Sequence, residues 1–253
     1  MAQELPTRLE GHRVIVAGGA GAVGRGICER LLAEGASVVA ADWNTEALDN
    51  VKNELRAPFS QLSTVRLDMG DVASIQTGMA DAIATLGGLD SAINAVGISH
   101  QGTSFDDETI EGWSQVITVN LTGAFAFAKA AVPHMPDGGA IVNISSGGAE
   151  MGLPLNLAYG ASKGGLRNLT FGLSLALAER QIRVNAVGPG LMEFPMKNKR
   201  TTVNRREGRT EQVPLGRLGR GSDIGAAVAY LISDDAEWVT GQNIYVDGGA
   251  LAK

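Results

Sequence analysis

Residues 13–27, RVIVAGGAGAVGRGI, decide how the chain folds. A short apolar run meets three glycines within four positions and passes straight into a helical pattern, where Ile27, Leu31 and Leu32 recur before Gly35 ends the run. Glycine tolerates positive φ and, lacking Cβ, lets a pyrophosphate approach the backbone. A helix beginning near Ala22 offers that phosphate free N–H groups and the positive end of its dipole. Strand, glycines and helix in this order read as a phosphate cradle formed by Gly18, Gly21, Ala22, Val23 and Gly24. The plainer alternative is a tight strand–helix turn that holds nothing.

Working outward, short runs rich in Val, Ile and Ala alternate with helical stretches along the whole chain: 13–17, 37–41, 64–68, 91–95, 140–144, 183–187 and 243–247. Such runs suit strands buried on both faces, so the pattern predicts an α/β protein with a parallel sheet and helices on either side. The 253 residues suffice for one sizeable domain, and neither an internal repeat nor an interdomain linker interrupts them. A net charge of −6 argues against nucleic-acid binding, which needs a basic surface. Cys28 is the only cysteine, which excludes an intrachain disulfide. The N-terminus lacks the apolar core of a signal peptide, and GAFAFAKAAV, broken by Lys129, falls short of the ~20 residues of a membrane span. These features set the expectation of a cytoplasmic protein without a membrane partner.

Asp42 closes the second expected strand, 24 positions after Gly18. A carboxylate there accepts hydrogen bonds from the ribose hydroxyls of an adenosine and repels a 2′-phosphate. Neither Gly21 nor Trp43 supplies a basic side chain to offset that repulsion, so the expected cofactor is NAD rather than NADP, with Trp43 completing the adenosine side. An ordinary turn carboxylate is the alternative reading of Asp42.

Tyr159 and Lys163, in AYGASKGG, stand four apart, which on a helix stacks them on one face. An ammonium beside a phenol favours phenolate and draws the tyrosine toward use as a base near neutrality. Ser146, in NISSGGAE after an expected strand, lies thirteen residues before Tyr159, where its hydroxyl can donate to a carbonyl oxygen. Taken alone it reads as a turn residue.

Together these pieces resemble the short-chain dehydrogenase/reductases over nearly the whole chain, from LEGHRVIVAGG to VTGQNIYVDGG. The resemblance implies a single Rossmann-type domain with a doubly wound, seven-stranded parallel sheet. It places Asn120, of TVNLTGAF, beside Ser146, Tyr159 and Lys163 in a catalytic tetrad. Asp68 and Met69 match the segment near the adenine. Asn94, Ala95 and Val96, within INAVG, match an Asn-Asn-Ala-Gly segment, and Pro189 and Gly190 match the stretch beside the nicotinamide. Tyr159 is then the general base or acid, Lys163 lowers its pKa and holds the nicotinamide ribose, Ser146 polarises the substrate oxygen, and Asn120 organises a water in a proton relay. In this family the helices carrying Asn120 and Tyr159 commonly pack across a dimer interface within a tetramer, so a homotetramer is expected.

The chain departs from the family pattern at four places. Ala17 replaces a threonine, Ala22 the middle loop glycine and Ala95 the second asparagine, while Phe194 stands where a threonine commonly bonds the carboxamide. Ala22 is tolerable if it already sits in the first helical turn. The losses at 17 and 95 suggest that a polar brace between the first and fourth strands has been exchanged for apolar packing. Met192, near Phe194, still offers a backbone N–H to the cofactor.

Four further features concern the substrate. The stretch 191–214 reads as a lid, and between 197 and 209 six basic residues (Lys197, Lys199, Arg200, Arg205, Arg206 and Arg209) face one acid, Glu207. An anionic substrate or a solvated lid surface both account for them. His100, Glu150 and Phe194 are candidates to line a substrate pocket. The expected activity is hydride transfer between NAD(H) and a secondary alcohol or ketone. A 3-oxoacyl-carrier-protein reductase using NADPH, kept open by Arg167, and a non-catalytic dinucleotide sensor are the alternatives.

Overall fold

The computed structural model describes residues 7–55, 61–99, 105–193 and 210–252. Their centre is a seven-stranded, all-parallel sheet in the order β3-β2-β1-β4-β5-β6-β7. The strands are β1 Arg13–Ala17, β2 Ser37–Asp42, β3 Leu62–Arg66, β4 Ser91–Asn94, β5 Ala140–Ile144, β6 Arg183–Pro189 and β7 Asn243–Val246. All seven expected strands are present. β3 begins two residues before the run expected at 64–68, because Leu62 pairs with Val38, and Asp68 accordingly lies beyond the strand in a turn where its Oδ1 accepts from Gly70 N at 2.8 Å. β6 runs two residues further than expected, to Pro189.

Alternation along the strands divides the core into two layers. Val14, Val16, Val38 and Ala40 face one side, against α1 (Ala22–Ala33) and a late helix α7 (Gly221–Ile232). Ile15, Ala17, Val39 and Ala41 face the other, with residues of α3 (Val72–Leu86) and α5 (Gly123–Ala131). The layers show why no polar brace joins residues 17 and 95. Ala17 belongs to one layer and Ala95 packs against the other, so their side chains point apart. What ties them is a backbone bond, Ala95 N to Ala17 O at 2.8 Å.

Two more helices, α2 (Thr45–Glu54) and α4 (Ile110–Ile117), precede α5, and the long α6 (Leu157–Ala176) follows β5. α4 runs through a wide π-turn at Thr118–Thr122 into α5 without a break. The continuous helix Ile110–His134 has a mean hydropathy of 1.4 and is long and apolar enough to cross a membrane by length and composition alone. That corrects the expectation that no apolar segment approaches such a length, since the two helices join only through the π-turn, which the sequence does not reveal. Phe127, Ala128 and Ala131 bury its inner side against the sheet.

α1 and α7 cross in backbone contact. A Cβ on Gly26 would lie 2.2 Å from the carbonyl carbon of Gly221, and one on Gly225 would lie 2.6 Å from Gly26 O. A methyl there has no room without separating the helices. Gly26→Ala is therefore expected to cost about 3 kcal/mol through overpacking, read as a lowered midpoint in urea denaturation.

Candidate active site

The strand order reverses between β1 and β4, and the ends of these two strands part there, which is where open α/β sheets bind their ligands. The glycine loop sits at this point. Gly18, at φ +79°, runs so close to β4 that a Cβ on it would lie 2.9 Å from the Ala95 carbonyl carbon. Gly21 is the N-cap of α1 and has no side chain to cap it, and Ala22 is the first helical residue with negative φ. Ala22 is thus accommodated as the sequence suggested. The first helical backbone bond at this end is Arg25 N to Gly21 O, so the N–H groups of Ala22, Val23 and Gly24 take no partner within the helix.

A cleft of about 430 Å³ opens beside this loop. It brings together Gly18, Gly21, Asp42, Trp43, Asp68, Met69, Ala95 and Val96, as the sequence suggested, and adds Leu67, Gly97, Ile98, Gln115 and Val119. Asp42 holds its place at the end of β2 by accepting from Asn44 N at 3.1 Å, and Trp43 beside it is 64% exposed. Asn94 does not face the cleft. It is buried, and its side chain accepts from Val96 N and donates to Asn143 on β5. Pro189 ends β6, and Gly190 lies so near β7's exit that a Cβ would sit 2.6 Å from Asp247 Cα. Met192 buries its side chain and bridges Gly219, but the bonds of that bridge are made by Leu191 and Glu193, leaving the Met192 N–H outside it.

Beyond the cleft, α6 presents Tyr159 and Lys163 on one face, with the Lys163 Nζ 5.7 Å from the centre of the tyrosine ring. Ser146 follows β5 and accepts from Gly148 N at 3.0 Å. Lys163 is buried, and its Nζ donates to Ile144 O at 2.7 Å and Val96 O at 3.4 Å. Asn120 sits buried in the π-turn, a distortion frequent at functional sites. Its amide grips Ile98 in both directions, accepting from the N–H and donating to the carbonyl, each at 2.9 Å, and also donates to Ser162 Oγ at 3.0 Å. Ser162 in turn donates to Tyr159 O. Nothing local in the sequence marks Ser162 for that link. Glu150 is likewise not free to meet a substrate: Tyr245 and Arg167 both hold its Oε1. His100, Phe194 and the basic stretch 197–209 lie outside the described residues, as does all of the expected lid except 191–193 and 210–214.

The comparisons with known proteins agree with this geometry. A family model described as enoyl-(acyl carrier protein) reductase matches residues 18–250. The chain is 36% identical over 248 residues to 2,5-dichloro-2,5-cyclohexadiene-1,4-diol dehydrogenase LinX of Sphingobium indicum, covering 97% of this chain and 98% of that protein. It is 34% identical to the 3-oxoacyl-(acyl-carrier-protein) reductase FabG of Thermotoga maritima, covering 96% and 99%. A solved short-chain dehydrogenase/reductase from Brucella melitensis, of the glucose/ribitol dehydrogenase kind, superposes with a TM-score of 0.87 at 32% identity, covering 97% and 99%. The chain belongs to the short-chain dehydrogenase/reductase family. As such it is an oxidoreductase of the alcohol/ketone class that binds a nicotinamide dinucleotide.

The cleft fits that group: it has a glycine approach too close for any side chain, an uncapped helix N-terminus and a carboxylate at the far end. The electrostatics of this short-chain dehydrogenase/reductase correct one expectation. Burial pushes the Tyr159 phenol above its ordinary range, opposed by the Ser146 hydroxyl, and Lys163 does not overcome it. Burial also brings Lys163 down from 10.5 to about 8. The folded protein therefore holds this proton less tightly than the unfolded chain. Lys163 opposes folding fully below pH 8, and its penalty falls as pH rises toward 10.5. Lys163→Met removes the penalty, so its stability relative to the unaltered protein is expected to be highest near neutrality. That difference should shrink by something on the order of 3 kcal/mol as pH rises through the window, as paired urea melts will measure.

Proposed function

We propose that this protein moves a hydride between NAD(H) and a secondary alcohol/ketone pair. The observation that carries the choice of NAD is the cleft's lining: among the described residues it has two carboxylates, Asp42 and Asp68, and no basic side chain. A 2′-phosphate there meets repulsion with nothing to offset it, whereas ribose hydroxyls find an acceptor in Asp42. The alcohol dehydrogenated by LinX is a cyclic diol, and a cyclic secondary alcohol is the substrate class we assign by that similarity.

When bound, the dinucleotide supplies the hydride acceptor or donor. The chain's own residues manage the proton and the geometry. Tyr159 takes the proton from the substrate hydroxyl or returns it to the ketone oxygen. Ser146 donates to the same substrate oxygen and orients it. Lys163 holds the nicotinamide ribose and places its positive charge beside the tyrosine. Asn120 fixes Ile98 and, through Ser162, the turn of α6 that carries Tyr159.

A carrier-protein reductase reading draws on the similarity to FabG, yet its one supporting cation in the sequence, Arg167, is engaged by Glu150 at 3.0 Å. A homotetramer accords with Ile110, Trp113 and Phe125, apolar residues left exposed on α4 and α5. A reducing, cytoplasmic setting accords with a lone, buried Cys28.

Titration with NADH and NADPH, followed by nucleotide fluorescence, tests the reading. NADH is expected to bind at least about tenfold tighter, a difference of ~1.4 kcal/mol. Tyr159→Phe should retain NADH binding and lose oxidation of a cyclic secondary alcohol such as cyclohexanol. Tighter NADPH binding, or undiminished turnover in Tyr159→Phe, overturns it.

A further inference from the structure

A group of linked side chains outside the cleft lies behind Ser146. β7 is the edge strand next to β6, yet two of its side chains reach across β6 to the segment after β5. Asn243 Oδ1 accepts from Ser145 Oγ at 2.6 Å, and the Tyr245 hydroxyl donates to Glu150 Oε1 at 2.5 Å. The crossing depends on small residues in β6. Ala186 pairs with Asn243 and Gly188 with Tyr245, and a Cβ on Gly188 would lie 2.5 Å from the Tyr245 ring.

From the other side, Arg167 forms an ion pair with the same Glu150 oxygen, Nε to Oε1 at 3.0 Å, but without hydrogen-bond alignment. Tyr159, Lys163 and Arg167 succeed one another at intervals of four along α6, so Arg167 continues the face that bears the reacting pair. Its guanidinium also lies 5.3 Å from the centre of the Phe171 ring, which limits where it can swing. Glu150 ends the tight turn Gly147–Ala149, whose Gly148 N–H donates to Ser146 Oγ. One carboxylate oxygen thus joins β7, the Ser146 turn and α6.

We propose that Tyr245, Glu150 and Arg167 form a clamp that sets the distance between Ser146 and Tyr159, with Glu150 as its central positioning residue. The inference rests on the reading that Ser146 and Tyr159 share the substrate oxygen. An exposed ion pair contributes little stability by itself, so the clamp's effect is geometric. The Ser146 turn packs along α6, where a Cβ on Gly160 would lie 3.8 Å from Gly148 O, and the clamp fixes how the turn sits there; small misplacements of a reacting group are costly. The Tyr245 phenol, raised to about 12 by burial and by Glu150, stays a hydrogen-bond donor throughout the working range of pH.

Tyr245→Phe and Glu150→Gln in the full-length protein test this in two ways. Hydrogen exchange needs no turnover: the amides of 147–150 are expected to exchange about tenfold faster in Tyr245→Phe, while those of β5 keep their protection. In cyclohexanol oxidation with NAD, kcat should fall about tenfold while the KM for NAD stays within about twofold. Introduced into a Ser146→Ala background, Tyr245→Phe should cost almost nothing further, because the residue it positions is gone. Unchanged exchange at 147–150, or an equal loss of kcat with and without Ser146, overturns the clamp. If Glu150→Gln fails to fold, Tyr245→Phe alone carries both arms. Absence of turnover in the unaltered protein would count against the proposed function, and faster exchange in Tyr245→Phe would still support the clamp.

Discussion

The contact on which the rest depends is the approach of Gly18 to the backbone of Ala95. β1 and β4 are neighbours in the sheet, but the chain leaves them in different directions: β1 turns into α1, and β4 exits toward the π-turn helix. A chain can make both turns at the same height only if one of them carries no side chain. Gly18 at φ +79° does this, and the Ala95 N–H bonds Ala17 O across the gap. The consequence is a helix N-terminus delivered to the mouth of the cleft, with Gly24 so close to Gly18 O that a Cβ would lie 2.0 Å away. The same constraint returns on the back of α1, where Gly26 meets Gly221 and lets α7 press the helix onto the sheet. Glycines at the front admit a ligand. Those at the back hold the helix that meets it.

Much of this is legible in the sequence, and for a specific reason. Strand runs, the glycine loop, Asp42 and the Tyr159–Lys163 pair are local patterns, in which spacing alone fixes direction once an element is assigned. Ala22 shows the strength of such reasoning: the helical register already places it where negative φ is required. What is illegible depends on partners far away in the chain. Glu150 reads as a pocket residue because it lies near Ser146 in the sequence, but Tyr245, 95 positions on, captures it. Ser162 carries no signal, since its importance lies in receiving Asn120 from another helix. Residues 17 and 95 invite a pairing because they depart from the family pattern together, and only the alternation of faces across β1 and β4 shows that their side chains never meet.

The asymmetry extends to electrostatics. Proximity of an ammonium to a phenol can be read from a four-residue spacing, and it argues for a lowered tyrosine pKa. Desolvation cannot be read that way, and here it prevails: Tyr159 moves up while Lys163 moves down to about 8. Burial penalises both charged forms, so the separated pair of phenolate and ammonium is less favourable in the folded cleft than the spacing implies. Lys163 Nζ is meanwhile held by the Ile144 carbonyl. For Tyr159 to serve as a base near neutrality, the phenolate must gain stabilisation beyond the four-residue spacing. One source is the Ser146 hydroxyl, which opposes the upward shift of the phenol, and the second is Lys163 once a ribose competes for its protons. That order of importance makes the placement of Ser146 the sensitive variable in this site. It explains why so much structure behind it, from β7 across β6 to the outer turn of α6, converges on a single carboxylate.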